Sequence, residues 1–140
     1  MTAPVPVADR WAANLAVLEE MLRCVSSGDA AGQVAHVADD VVYEAPYYAG
    51  FATKRGREEL AAMVRAVEDR FSTVHYEVVA AHPTVDPDLV IAEVRGDHQV
   101  AGSERRYQNH YVMFLRFRNG KVAEWREFSN PDVYRTAVGG

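Results

Sequence analysis

Glu127 lies between Trp125 and Phe128, close to the end of an apolar, β-branched stretch in the last third of the chain. An isolated charge is costly to bury, so a carboxylate in such a setting is either paired or faces a cavity. Inside an apolar cavity, desolvation raises its pKa and suits it to take or donate a proton near neutral pH. The structural alternative is an ion pair with Arg126, Arg116 or Arg106. Close by, Asn109, His110 and Tyr111 offer an amide that can donate to a carbonyl or oxyanion, an imidazole that titrates in the physiological range, and a phenol. Trp125, Phe114 and Tyr43 are candidates for apolar wall, and Tyr43, Tyr47, Tyr48 and His98 for the rim of a mouth. Ser129 is a candidate ligand contact two residues beyond the acid. Strand histidines and aromatics are more often packed core residues, so each of these has a plain structural alternative.

Several chemistries are not supported. The five histidines show neither H-x-H nor H-E-x-x-H spacing, and no glycine-rich phosphate loop, dinucleotide fingerprint or G-x-S-x-G elbow is present. We therefore expect no metal and no cofactor. Cys24 sits within an amphipathic segment, where an inert thiol is the expectation, and a single cysteine excludes an intrachain disulfide. A formal charge of -5 opposes binding to nucleic acid or an anionic membrane. No apolar run reaches transmembrane length and no secretory signal is seen, which points to the cytoplasm.

These residues need elements to hold them. The 140 residues suffice for one domain with a real core, spanning 1–140 with a loose lead-in over 1–7. Trp11, Leu15, Leu18, Leu22 and Val25 recur at helical spacing, and Gly28 ends that helix. Asp29 can cap a second short helix through Val37, and Asp39-Asp40 breaks it before a strand from Val41 to Pro46. Tyr47 to Lys54 reads as a loop containing Gly50. Leu60, Met63, Val64, Val67 and Phe71 mark a third helix from Arg57, and the same stripe turns Met63 and Val67 toward the interior. Four strands follow, over 74–81, 89–100, 106–118 and 121–128. Helices followed by antiparallel hairpins predict an α+β fold, a curved antiparallel or mixed sheet backed by three N-terminal helices. Such a sheet forms a cone with an apolar end and an open mouth suited to a small molecule.

Asn119-Gly120 supplies the φ > 0 pair of a two-residue hairpin and opposes Arg118 to Lys121 and Phe117 to Val122. Without a bulge, that register places Val112 opposite Glu127, with His110, Phe114 and Trp125 on the same face and Asn109, Tyr111, Met113 and Phe128 on the other. One bulge exchanges the two sets. Both faces are largely apolar toward the far end, which predicts a homodimer through the outer one, flanked by Arg116 and Arg118.

Over nearly its whole length the chain resembles the SnoaL-like branch of the nuclear transport factor 2-like superfamily, whose fold is a helix-backed cone, and Val25-Ser26-Ser27-Gly28-Asp29 followed by Ala38-Asp39-Asp40-Val41-Val42-Tyr43-Glu44-Ala45-Pro46 is similar to the opening of ketosteroid isomerases. The likeness to ketosteroid isomerases does not extend to their catalytic positions. Their general-base Asp falls on Ala45, their helix-one Tyr on Met21 and their strand-four Asp near Met113, which disfavours that activity. The chain is more similar to the phenazine-biosynthesis A/B proteins, small cofactor-free dimers associated with acid–base catalysis. The likeness rests on Arg55-Gly56-Arg57-Glu58, Tyr107-Gln108-Asn109-His110-Tyr111, Phe117-Arg118-Asn119-Gly120 and Arg126-Glu127-Phe128-Ser129-Asn130-Pro131. It implies that Glu127 is the pocket glutamate, while the family's pocket His and Ser fall on Met63 and Val67. The resulting expectation is a cofactor-free acid/base catalyst of cyclisation, condensation, isomerisation or dehydration on a hydrophobic metabolite. A non-catalytic binding protein for an apolar ligand and a purely structural dimer subunit are the alternatives.

Overall fold

The computed structural model describes residues 6–49 and 53–139, and Gly50 and most of the expected N-terminal lead-in lie outside them. Three helices come early: α1 (Val7–Ser26), α2 (Ala30–Val34) and α3 (Arg57–Arg70). The strands are β1 (Val37–Glu44), β2 (Lys54–Arg55), β3 (Phe71–Thr73), β4 (Tyr76–His82), β5 (Leu89–Val100), β6 (Arg106–Arg118) and β7 (Lys121–Phe128), and α4 (Pro131–Val138) follows. They form one sheet in the order β2-β1-β7-β6-β5-β3, with β4 also pairing with β5. All pairings are antiparallel except β1 with β7.

The helices cover one face of this sheet, as the α+β reading expects. Leu18 and Met21 of α1 and Leu60 of α3 are fully buried, together with Val37, Val90, Met113, Leu115 and Val122 from the strands. Alternation along β6 is strict: Tyr107, Asn109, Tyr111, Met113, Leu115 and Phe117 are buried, and the residues between them face outward.

Several boundaries differ from the sequence reading. Val7 already belongs to α1, and α2 ends at Val34, before Val37. β1 starts at Val37 and runs through Asp39-Asp40, which do not break it. Both carboxylates point outward, Asp39 to Arg57 at 2.8 Å and Asp40 to Arg118. Asp29 caps α2 as expected, accepting from Gly32 N–H at 2.8 Å.

The hairpin register is the correction with the greatest consequence. Asn119 (φ 53) and Gly120 (φ 78) make the turn, and Arg118↔Lys121 and Phe117↔Val122 pair as expected. The next pair is Arg116↔Glu124, so Ala123 is an extra, unpaired residue: a β-bulge. Beyond it Leu115 opposes Trp125 and Met113 opposes Glu127, in place of the expected Val112. His110, Val112 and Phe114 lie on the outer face by the plain alternation of β6, and the bulge brings Trp125 and Glu127 onto the inner face with Tyr111 and Met113.

Candidate functional site

Between the helices and the concave face of the sheet is a cavity of about 100 Å³. Its helical wall is apolar, with Leu22 and Val25 from α1 and Met63, Val64 and Val67 from α3. Its sheet wall is aromatic: Tyr43, Tyr76, Tyr107, Tyr111 and Trp125. Tyr48 and Tyr134, both half-buried, meet edge to face with centroids 5.7 Å apart at its rim. An engineered apolar cavity of roughly 150 Å³ holds benzene, so this smaller space takes at most one aromatic ring, and the rest of a ligand extends past the rim. A larger outer groove, about 410 Å³, is lined by Arg55, Arg116, Arg126, Glu44 and Glu124. There Arg116 is neutralised by Asp86 at 2.7 Å and Glu124 at 3.3 Å, and the groove offers exposed ion pairs where the inner cavity offers a desolvated acid.

Glu127 is the one carboxylate among the residues lining the inner cavity. Burial pushes its pKa up to about 7, and the hydroxyl of Tyr43, acting as a hydrogen-bond donor, offsets only part of that rise. The residue keeps some accessible surface and lines the cavity. The proposed ion-pair partners are engaged elsewhere. Arg116 holds Asp86 and Glu124, Arg106 holds Asp97 at 2.7 Å, and Arg126 lies over the Phe114 ring at 5.3 Å. Among the described residues Glu127 forms no salt bridge. Tyr43 packs edge to face on Trp125 at 5.2 Å, which places phenol, indole and carboxyl side by side. Burial also raises the pKa values of Tyr43, Tyr48, Tyr76 and Tyr111, so these phenols stay protonated at neutral pH.

The structure brings eight of the sequence-derived candidates to this cavity: Glu127, Tyr43, Tyr48, Met63, Val67, His98, Tyr111 and Trp125. Asn109, His110 and Ser129 are not on its wall. His110 is exposed because β6 alternates strictly and its neighbours Asn109 and Tyr111 face inward. The Asn109 amide is spent on structure: its Nδ2 donates to the Tyr107 hydroxyl at 2.9 Å and to the Asn130 carbonyl at 3.0 Å, and its Oδ1 accepts from the His110 N–H at 2.9 Å. Ser129 shares a 2.6 Å hydrogen bond with the Tyr48 hydroxyl and supports the rim from behind. Phe114, expected as wall, packs on Phe128 on the outer face. Of the aromatics expected at the mouth, Tyr48 is there, whereas Tyr47 is exposed against Phe128.

Residues 18–125 match the model of the SnoaL-like domain. The chain belongs to the SnoaL-like family. A curated relative, an uncharacterised PhzA/B-like protein of Pseudomonas aeruginosa, is 34% identical over 126 residues, 89% of each chain. Two solved structures show the same fold. A phenazine biosynthesis-related protein from Pseudomonas aeruginosa superposes with a TM-score of 0.77 at 17% identity, over 99% of this chain and 88% of that one. An NTF2-like protein of unknown function from Burkholderia pseudomallei superposes with a TM-score of 0.79 at 17% identity, over 91% and 98%. The nuclear transport factor 2-like cone and the phenazine-type likeness read from the sequence are thus both found. Glu127 lies two residues beyond the matched stretch.

Sequence reasoning missed several cavity residues of this SnoaL-like chain: Gln33, Tyr76, Tyr107 and Tyr134. Tyr134 is on α4, an element not anticipated at all. Its signal was present, because Asn130-Pro131 is an N-cap residue followed by proline at the first helical position. The Asn130 side chain accepts from Asp132 N–H at 2.9 Å. Arg70 at the end of α3 donates to the Tyr134 hydroxyl and lies over its ring, which ties α4 down beside the cavity.

Proposed function

We propose that this protein binds a small hydrophobic metabolite in the inner cavity and moves a proton on it with Glu127, without a cofactor. Cyclisation, condensation, isomerisation and dehydration are the reaction types this serves. The observation that carries the reading is a carboxyl held in an aromatic cavity, paired with no cation among the described residues, and raised to about 7. A general acid or base works best with a pKa near the working pH, which is where this group sits. Tyr43 would steady the carboxylate after proton transfer, and the aromatic wall would hold the ligand and keep water away from the transfer.

A second reading, a binding protein that does no chemistry, is favoured by the apolar residues around the acid. Ala45, Met63, Val67 and Met113 all line the cavity at positions where the family resemblance locates acids, bases or hydroxyls in catalytic relatives. Incubating the protein with a metabolite panel, and measuring binding and turnover separately for wild type and Glu127→Gln, decides between them. Turnover lost with binding retained supports the acid/base role, whereas ligand bound and released unchanged by wild type supports the carrier.

The partner we propose is a second copy of the chain, seated on the outer sheet face where Val112 is exposed beside half-buried Phe114 and Phe128. Sedimentation at micromolar concentration should show twice 15.6 kDa, and a 15.6 kDa species alone would refute it. No helix among the described residues is long and apolar enough to cross a membrane. The cytoplasm remains our proposal for its location, and fractionation of cells producing the protein tests it.

A further inference from the structure

The inner cavity holds one acid and no countercharge. Glu127 is the one carboxylate among the residues lining it and keeps some accessible surface, and among the described residues no Lys or Arg shares that wall. A desolvated carboxylate without a cation is costly to ionise, and a ligand that brings the cation with it removes that cost. An anion in the same place would meet a like charge and nothing to offset it.

The rest of the wall favours one kind of cation. Eight of the lining residues carry Phe, Tyr or Trp rings, and they come from β1, β3, β4, β6, β7, α4 and the segment after β1, so rings meet the space from several sides. Tyr48, Tyr76 and Tyr134 among them are half-buried and keep accessible surface. Aromatic rings attract cations through their negative faces, and a cage of several rings is suited to an alkylated ammonium group. Most of the phenol hydroxyls are already engaged. That of Tyr107 accepts from the Tyr111 hydroxyl and from Asn109 Nδ2, each at 2.9 Å, that of Tyr48 shares a 2.6 Å hydrogen bond with Ser129, and that of Tyr134 accepts from Arg70. A primary ammonium brings three N–H donors to a wall whose charged acceptor is Glu127 alone. A tertiary ammonium brings one N–H for that carboxylate and covers the rest of its nitrogen with alkyl groups, which suit the aromatic rings and the apolar helical wall of Leu22, Val25 and Val64. At about 100 Å³ the cavity has room for such a compact head group, with the rest of the ligand passing the rim at Tyr48 and Tyr134.

We propose that the ligand of this cavity is a tertiary amine in its protonated form, its N–H donated to the Glu127 carboxylate and its alkyl groups packed on the aromatic wall, and that the site discriminates against uncharged isosteres and against carboxylates. This deepens the small-molecule reading above and rests on it for the cavity's occupancy, but not on Glu127 moving a proton.

The test uses four small probes: N,N-dimethylethanolamine, its uncharged isostere 3-methylbutan-1-ol, the primary amine ethanolamine, and the anion 3-methylbutanoate. Their binding is measured at pH 8 and matched ionic strength by ligand-observed NMR and thermal shift. The tertiary amine should bind about tenfold more tightly than the alcohol and more tightly than ethanolamine, and the carboxylate should bind weakest. Glu127→Gln keeps the shape of the side chain and removes its charge, so it should erase the amine's advantage and leave 3-methylbutan-1-ol binding in place. A second measurement needs no variant. Glu127, with a pKa of about 7, gains its proton between pH 8 and pH 6 while the amine stays charged, so the same advantage should fall about tenfold in the wild-type protein. Burial keeps the phenols of Tyr43, Tyr48, Tyr76 and Tyr111 protonated and the His98 ring neutral over that range, so Glu127 accounts for the change. The alcohol bound as tightly as the tertiary amine, ethanolamine or the carboxylate preferred, or an advantage that survives both Glu127→Gln and pH 6 would each overturn the assignment and leave the small-molecule reading standing. Failure of all four probes at high millimolar concentration would instead remove that reading and this inference with it.

Discussion

Glu124 and Glu127 are three residues apart on β7, and they occupy opposite worlds. Glu124 faces outward with its side chain 63% exposed and meets Arg116 at 3.3 Å. Glu127 faces inward among Tyr43, Trp125 and Tyr111, and burial carries it to about 7. In an unbulged strand Val122 and Glu124 would share a face and Glu127 would take the other. The extra residue, Ala123, reverses this: Val122 and Trp125 are both buried, and Glu127 follows Trp125 inward. Their odd spacing alone puts the two carboxylates on opposite faces, and the bulge decides that Glu127 is the one that faces inward.

Deleting Arg126 should have the largest effect, because it shifts β7 by one residue beyond the bulge. Glu127 would then take an outward position and Phe128 an inward one, unless the bulge closes, which would turn Trp125 outward and bring Glu124 against the core. Burying an unpaired charge costs several kcal/mol, comparable with the ~5–15 kcal/mol net stability of a typical domain. We expect a strongly lowered or non-cooperative thermal melt. A deletion variant that melts like wild type and keeps wild-type Trp fluorescence would remove the register beyond the bulge as the device that points Glu127 inward.

Glu127→Gln comes next and has a pH signature. A carboxyl whose folded pKa is about 7, against a reference of 4.5, binds more protons folded than unfolded, so stability falls as pH rises from about 4.5 and the full penalty is present above about 7. That interval corresponds to about 3 kcal/mol. The Gln variant should match or exceed wild type at pH 8, and the gap between them should close near pH 4.5. A Gln variant clearly less stable than wild type at neutral pH would mean that Glu127 is a structural ion-pair partner.

Met63→His places a polar ring on the apolar helical wall opposite the sheet. Met63 is half-buried, so we expect a loss of about 1 kcal/mol in melting experiments together with a shift of ligand preference toward more polar compounds. Unchanged binding and unchanged stability would move Met63 off the wall.

The smallest effect sharpens the contrast from the outer side. Glu124→Gln removes one exposed ion pair and should alter stability by less than about 0.5 kcal/mol. A loss as large as that predicted for deleting Arg126 would contradict the assignment of Glu124 as a solvated surface group.

The amino-acid sequence by itself determined the cone and most of its elements. β5, β6 and β7 have the bounds that β-branched and aromatic runs between turn residues predict, and α3 differs by one residue, because these signals are local. It also determined that Glu127 needed an explanation, since a carboxylate between two large aromatics cannot be solvated on both sides. The shorter β2 and β3 carried too few residues for a period to show, and β1 was cut short at Asp39-Asp40 because those carboxylates are satisfied by Arg57 and Arg118, distant in sequence. What only the tertiary structure decided was direction. The Ala123 bulge turned Glu127 inward, onto the face opposite His110, and the hydrogen bonds of Asn109 to Tyr107 and Asn130 removed that amide from the ligand's reach. The packing of β5 against the aromatic sheet wall left the Nε2 of His98 unmet. The identity of a side chain is written in the chain, but the face it takes depends on backbone register, and its hydrogen-bond partners arrive from strands and helices tens of residues away.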